Sequence, residues 1–86
     1  MRKKLENFAK KYGLFFLYYI NFETNYTDIT VHYHNYILDV VLAEYTRISI
    51  IHSYGEKGSE DYTYSDLKSA FKAFRKIMRE NQDENE

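Results

Sequence analysis

Apolar positions along the chain change period once at each end. Leu5, Phe8, Ala9 and Tyr12 recur at helical spacing, so the spacing predicts a short N-terminal helix with one greasy face. Gly13 is placed to end it, because glycine enters the left-handed conformation without a Cβ penalty. Lys10 and Lys11 in its last turn suit the negative end of the helix dipole. Residues 14–54 then alternate with period two and read as four strands, near 14–22, 27–33, 36–43 and 47–54. After a Gly/Ser-containing acidic stretch, Leu67, Ala70, Phe71, Phe74, Ile77 and Met78 draw a second helical stripe. Thr63 followed by Asp66 reads as a capping box at its start.

The strand register can be tested by asking which loops give one apolar face. A two-residue turn at His34-Asn35 sets Tyr33 opposite Tyr36, Val31 opposite Leu38 and Ile29 opposite Val40. A three-residue loop at 44–46 sets Leu42 opposite Ile48, Val40 opposite Ile50 and Leu38 opposite His52. A four-residue loop at 23–26 sets Ile20 opposite Ile29, Tyr18 opposite Val31 and Phe16 opposite Tyr33. All three choices agree on one face, and a one-residue slip in any of them breaks it. The expected fold is therefore α+β, a four-stranded antiparallel meander flanked by an N-terminal and a C-terminal helix packed on one face. Residues 1–79 form the single domain of that reading, and 80–86 an acidic, disordered tail.

Composition narrows the chemistry. Eighty-six residues support one modest core and no interdomain cleft. The chain has no cysteine, which removes disulfides, thiol catalysis and cysteine metal sites, and it fits a reducing compartment. Ten Tyr and six Phe supply large apolar area instead. Glu6, Asn7, Lys10 and Lys11 interrupt any signal-peptide core after Met1-Arg2-Lys3-Lys4, and the apolar run 14–20 is too short to cross a membrane, so a cytoplasmic location is expected.

Charge is sorted although the net is −1. The first helix holds Arg2, Lys3, Lys4, Lys10 and Lys11 against Glu6; the last carries Lys68, Lys72, Arg75, Lys76 and Arg79 on one flank. Such a layer can neutralise phosphates, which makes RNA or DNA binding the alternative function, although solubility alone also favours lysine on a polar helix face. The acids sit on strands, loops and tail. Glu56, Glu60 and Asp61, with Tyr62 and Tyr64, could fill a basic groove on a partner; the competing reading is a solvated acidic loop. The outer sheet face, with Tyr19, Ile37, Val41 and Ile51 among polar neighbours, is the second candidate contact surface, for a larger host protein or for a homodimer, unless the first helix covers it.

Enzymatic signals are weak. No Gly-rich phosphate loop, nucleophile elbow or paired-carboxylate pattern stands out. His32 and His34 share a strand face, but His52 falls on the other, so no metal site and no cofactor is expected.

In layout the chain resembles the double-stranded-RNA-binding domain, with Lys68 and Lys72 similar to that family's basic cluster; it differs in having four expected strands rather than three and no paired lysines opening the helix, and none of that family's site residues is carried over. The Gly-Pro-x-His loop of that family has no counterpart here. In size and composition the chain also resembles small phage and mobile-element inhibitors of the anti-CRISPR type. That resemblance implies a non-enzymatic protein-binding inhibitor of a host nucleic-acid-handling enzyme such as a CRISPR effector, and this is the function expected from the sequence.

Overall fold

The computed structural model describes residues 1–84. In chain order it has α1 (Arg2–Tyr12), β1 (Phe15–Asn21), β2 (Tyr26–Tyr33), β3 (Tyr36–Leu42), β4 (Thr46–Ser53), a short 3-10 turn (Gly55–Lys57), β5 (Ser59–Tyr64) and α2 (Leu67–Glu84). The strands form one antiparallel meander in the order β1-β2-β3-β4-β5. The protein is α+β with two helices and an antiparallel sheet, as the apolar periods indicate, but the sheet has five strands rather than four.

The extra strand is the stretch read as an acidic loop. From Ser59 to Tyr64 the residues alternate. Glu60, Tyr62 and Tyr64 stand opposite His52, Ile50 and Ile48, while Ser59, Asp61 and Thr63 stand opposite Ser53, Ile51 and Ser49. Tyr and Thr fit a pleated, half-buried surface, and pairing with the isoleucines of β4 recruits them. The two acids make this a well-guarded edge, because like charges discourage pairing with a further strand.

Two of the three registers differ from expectation, each by two residues. The β2–β3 hairpin pairs Tyr33 with Tyr36, Val31 with Leu38 and Ile29 with Val40, as expected. Across β3–β4, Leu38 pairs with Ile50 and Val40 with Ile48, while Tyr36 takes His52. Across β1–β2, Phe16 pairs with Val31 and Tyr18 with Ile29. A two-residue slip returns every side chain to the same face, so apolar alternation cannot detect it. The loops decide, and they fall one residue earlier than assigned, at 22–25 and 43–45.

Both helices lie against the same face of the sheet. Leu5, Phe8 and Ala9 of α1 and Ala70, Phe74 and Met78 of α2 share one core with Ile29, Val31, Leu38, Val40, Ile48 and Ile50. Phe8 stacks on Phe71 with ring centroids 4.4 Å apart, which ties the helices to each other. Tyr33 donates its hydroxyl to the Met78 carbonyl oxygen at 3.4 Å, linking β2 to α2.

The helix ends follow local chemistry. Gly13 has φ 64°; its N–H reaches the Lys10 carbonyl and the Leu14 N–H reaches that of Ala9, a Schellman closure. At α2 the capping box is not made. Thr63 is committed to β5, and Asp66 itself accepts the Ser69 N–H at 2.7 Å. At its far end α2 continues through 80–84 of the segment expected as a tail, with Asn81 donating its side-chain amide to the Ile77 carbonyl at 2.7 Å. Residues 85 and 86 lie outside the described residues. Among the described residues, no helix is long and apolar enough to cross a membrane.

Candidate functional site

With both helices on one side, the other side of the sheet is left without cover from either of them. Its side chains form rows across the strands. One row runs Phe15, His32, Ile37, Ile51, Asp61; the next, Leu17, Thr30, Asp39, Ser49, Thr63; the third, Tyr19, Asp28, Val41, Arg47. Alternation in each strand puts these odd- and even-numbered sets on this face, because the opposite set is fixed in the core.

The edge of this face is apolar and open. Phe15 is 62%, Leu17 49% and Tyr19 58% exposed. Phe15 meets the edge of His32 with centroids 5.5 Å apart, and His32 Nε2 lies 2.9 Å from the Thr30 hydroxyl. Of the apolar residues expected here, Ile37 and Ile51 are direct cross-strand partners. Val41 and Tyr19 are set apart from them, on either side of Asp28. The four therefore share a face without forming one patch.

The centre of the face is polar and closely packed. Ser49 is buried between Asp39 and Thr63. Oδ1 of Asp28 and Oδ1 of Asp39 are buried with no hydrogen-bond partner among the described residues. Burial pushes the Asp39 carboxyl up to about 7, and the neighbouring Asp28 adds to the shift, while Arg47 opposes it. Tyr26 reaches Asp28 at 3.5 Å, and its hydroxyl is raised by burial and then by Asp28 and Asp39. Arg47 is engaged by Asp61 at 3.2 Å.

The acidic residues expected to act together are divided by the pleat of β5. Asp61 belongs to the open face, whereas Glu60, Tyr62 and Tyr64 point to the helix side, and Glu56 lies in the 3-10 turn. On the helix side they border a shallow groove of roughly 400 Å³ with His52, Lys76 and Ile77. There His52 stacks on Tyr36 at 4.1 Å. Tyr62 donates its hydroxyl to Glu60, which lowers the Glu60 carboxyl and raises the Tyr62 hydroxyl.

The basic residues are divided as well. Lys4, Lys68 and Arg75 border one groove between the helices with Phe71. Arg75 and Arg79 border another, beside Tyr12 and Tyr33. Lys72 is exposed, and Lys76 lies 4.0 Å from Glu80. For the histidines, His34 occupies the β2–β3 turn with φ 51°, away from His32. Among the described residues no group of three or more His, Cys, Asp or Glu is placed to hold a metal ion.

Phe15, Leu17, Asp28 and Asp39 are the residues of this surface that a site search by motif passes over. Their signal was positional only: each lies in the period-two set opposite the core set. No protein-family model, curated protein or solved structure matches the chain.

Proposed function

We propose that this chain is a non-enzymatic protein-binding module that docks on a larger protein through the uncovered face of its sheet. The observation that carries the proposal is the exposure of Phe15, Leu17 and Tyr19 on that face, with Asp28 directly across from Tyr19 and Asp39 and Asp61 on strands further along the sheet. Exposed apolar groups on a soluble domain mark contact surfaces, and aromatic residues are enriched in them. Asp61 is already paired with Arg47 and the Asp39 carboxyl is pushed up to about 7, so apolar and hydrogen-bonding fit, more than net charge, selects the partner. Occlusion of the working surface of a nucleic-acid-handling protein is the inhibitory form of this reading.

A second reading rests on the gathering of Lys4, Lys68 and Arg75 along one groove of the helix layer. In it the opposite side of the molecule binds phosphate, with Lys72 exposed on the same helix, while Arg79 and Lys76 border the two other grooves.

One experiment separates the two. Wild type, Phe15→Ser/Leu17→Ser and Lys68→Glu/Arg75→Glu are compared for capture of partner proteins and for shift of short RNA and DNA duplexes. The first reading expects capture lost only in the sheet-face variant and no duplex shift. A salt-sensitive duplex shift lost only in the helix variant overturns it in favour of the second.

A further inference from the structure

The sheet ends in two edges that differ in kind. The β5 edge carries Glu60 and Asp61. The β1 edge, Phe-Phe-Leu-Tyr-Tyr-Ile-Asn, carries no charge and no proline, and it pairs with β2 residue for residue without a bulge. Proteins ordinarily guard an edge with charge, proline or a bulge, and an unguarded apolar edge is a template for another strand.

The hydrogen-bond phase identifies which groups of β1 are free. Ser53 donates to the Asn35 carbonyl at 2.8 Å, so Asn35, Ile37, Asp39 and Val41 bond toward β4. Backbone bonds alternate sides along an antiparallel strand. Tyr36, Leu38 and Val40 therefore bond to β2, and His32, Thr30 and Asp28 bond to β1. Their partners Phe15, Leu17 and Tyr19 are thereby used. Phe16, Tyr18 and Ile20 direct their N–H and C=O groups out of the sheet.

We infer that the β1 edge pairs antiparallel with β1 of a second copy of this chain, with Tyr18 opposite Tyr18 on the two-fold axis. This register matches free groups to free groups, since Phe16 meets Ile20 of the second copy. It juxtaposes no charge within the paired strands, whereas β5 against β5 would oppose acids. On the open face Leu17 meets Tyr19 of the second copy, so the exposed residues of the two protomers merge into one strip across a ten-stranded sheet. On the helix face Arg2 lies 4.8 Å from the Tyr18 ring centroid. The two Arg2 side chains are long enough to splay into solvent beside the tyrosine pair.

The absence of native cysteine permits a direct test of the register. Tyr18→Cys brings its two Cα atoms to about 5.5 Å across a hydrogen-bonded pair, within disulfide reach. Phe22→Cys, at a site 86% exposed, places them roughly 25 Å apart in this arrangement. Mild oxidation is expected to give a covalent dimer of the first and not of the second. Cross-linking of the second as fast as the first shows random collision and overturns the pairing.

Wild type is expected to dimerise in sedimentation as concentration rises. Tyr18→Pro removes an N–H that the monomer's own ladder does not use, so it is expected to stay folded and monomeric. Tyr18→Lys, which opposes two cations on the axis, does the same should the proline variant not fold. Thr63→Pro on the other edge leaves the dimer intact. A wild type monomeric at every soluble concentration, or a dimer that survives folded Tyr18→Pro and Tyr18→Lys, overturns the inference. The outcome is independent of whether the sheet face docks on another protein.

Discussion

Asp28 and Asp39 sit diagonally across the β2–β3 ladder on the uncovered sheet face, and each holds a buried Oδ1 without a hydrogen-bond partner among the described residues. Burial first, and then the neighbouring Asp28 carboxylate, pushes the Asp39 carboxyl up to about 7, and a proton held there would supply the missing donor. A carboxyl whose folded value is raised stabilises the fold most below its unfolded value, and that contribution is lost as pH rises through the folded one. Stability is therefore expected to fall between about pH 4 and pH 7 on account of this group. After discounting for the solvent that still reaches it, the effect is about 1–2 kcal/mol. Asp39→Asn should be more stable than wild type at pH 8 and nearly equal to it at pH 4. Thermal melts across that range check the sign; a variant less stable at pH 8 contradicts it.

Asp66 holds the start of α2. Its carboxylate accepts the Ser69 N–H, and that bond holds its carboxyl below the usual value. Here the sign is opposite: the contribution is present at neutral pH and lost on acidification through the lowered value. Asp66→Ala is expected to lower the melting temperature and speed exchange of the Ser69 amide, with Asp66→Asn close to wild type. Equal exchange in Asp66→Ala and wild type argues against the cap.

How this helix start was misread shows what a sequence holds. Thr63 and Asp66 have capping-box spacing, but Thr63 lies in a strand that only pairing with Ser49 reveals. Glu60 and Asp61 read as loop because two adjacent acids are rare in a buried strand; at an edge they are acceptable. The core face was legible throughout because burial imposes a period of two on Ile29, Val31, Leu38 and Val40. Register was legible only where a turn fixed it, at His34-Asn35, since the longer loops at 22–25 and 43–45 have no equally sharp signal. The open face had the least signal of all. Nothing packs on Phe15 or Leu17 to impose a pattern, and their meaning depends on knowing that both helices take the other side.

Phe8 of α1 stacks on Phe71 of α2 and also meets Phe74 with ring centroids 6.1 Å apart. Aromatic pairs contribute about 0.5–1.5 kcal/mol beyond the area they bury. A double-mutant cycle with Phe8→Leu and Phe71→Leu should return a coupling energy in that range from denaturant unfolding. Strict additivity would mean that the stacked pair contributes nothing beyond the area each ring buries.

The last expectation concerns Phe15 and Leu17, because a contact surface should be dispensable to the fold that presents it. Both project from the open face of an edge strand, and both are about half exposed or more. Phe15→Ser/Leu17→Ser is therefore expected to cost only about 1 kcal/mol, chiefly through lost strand propensity. Phe74→Ala, at a fully buried position between the helices and the sheet, should cost about 3–5 kcal/mol. Urea titration of both variants measures the contrast. Were the double serine variant as damaging as Phe74→Ala, the exposed edge would be part of the protein's own core, and its apolar residues would need no partner to explain them.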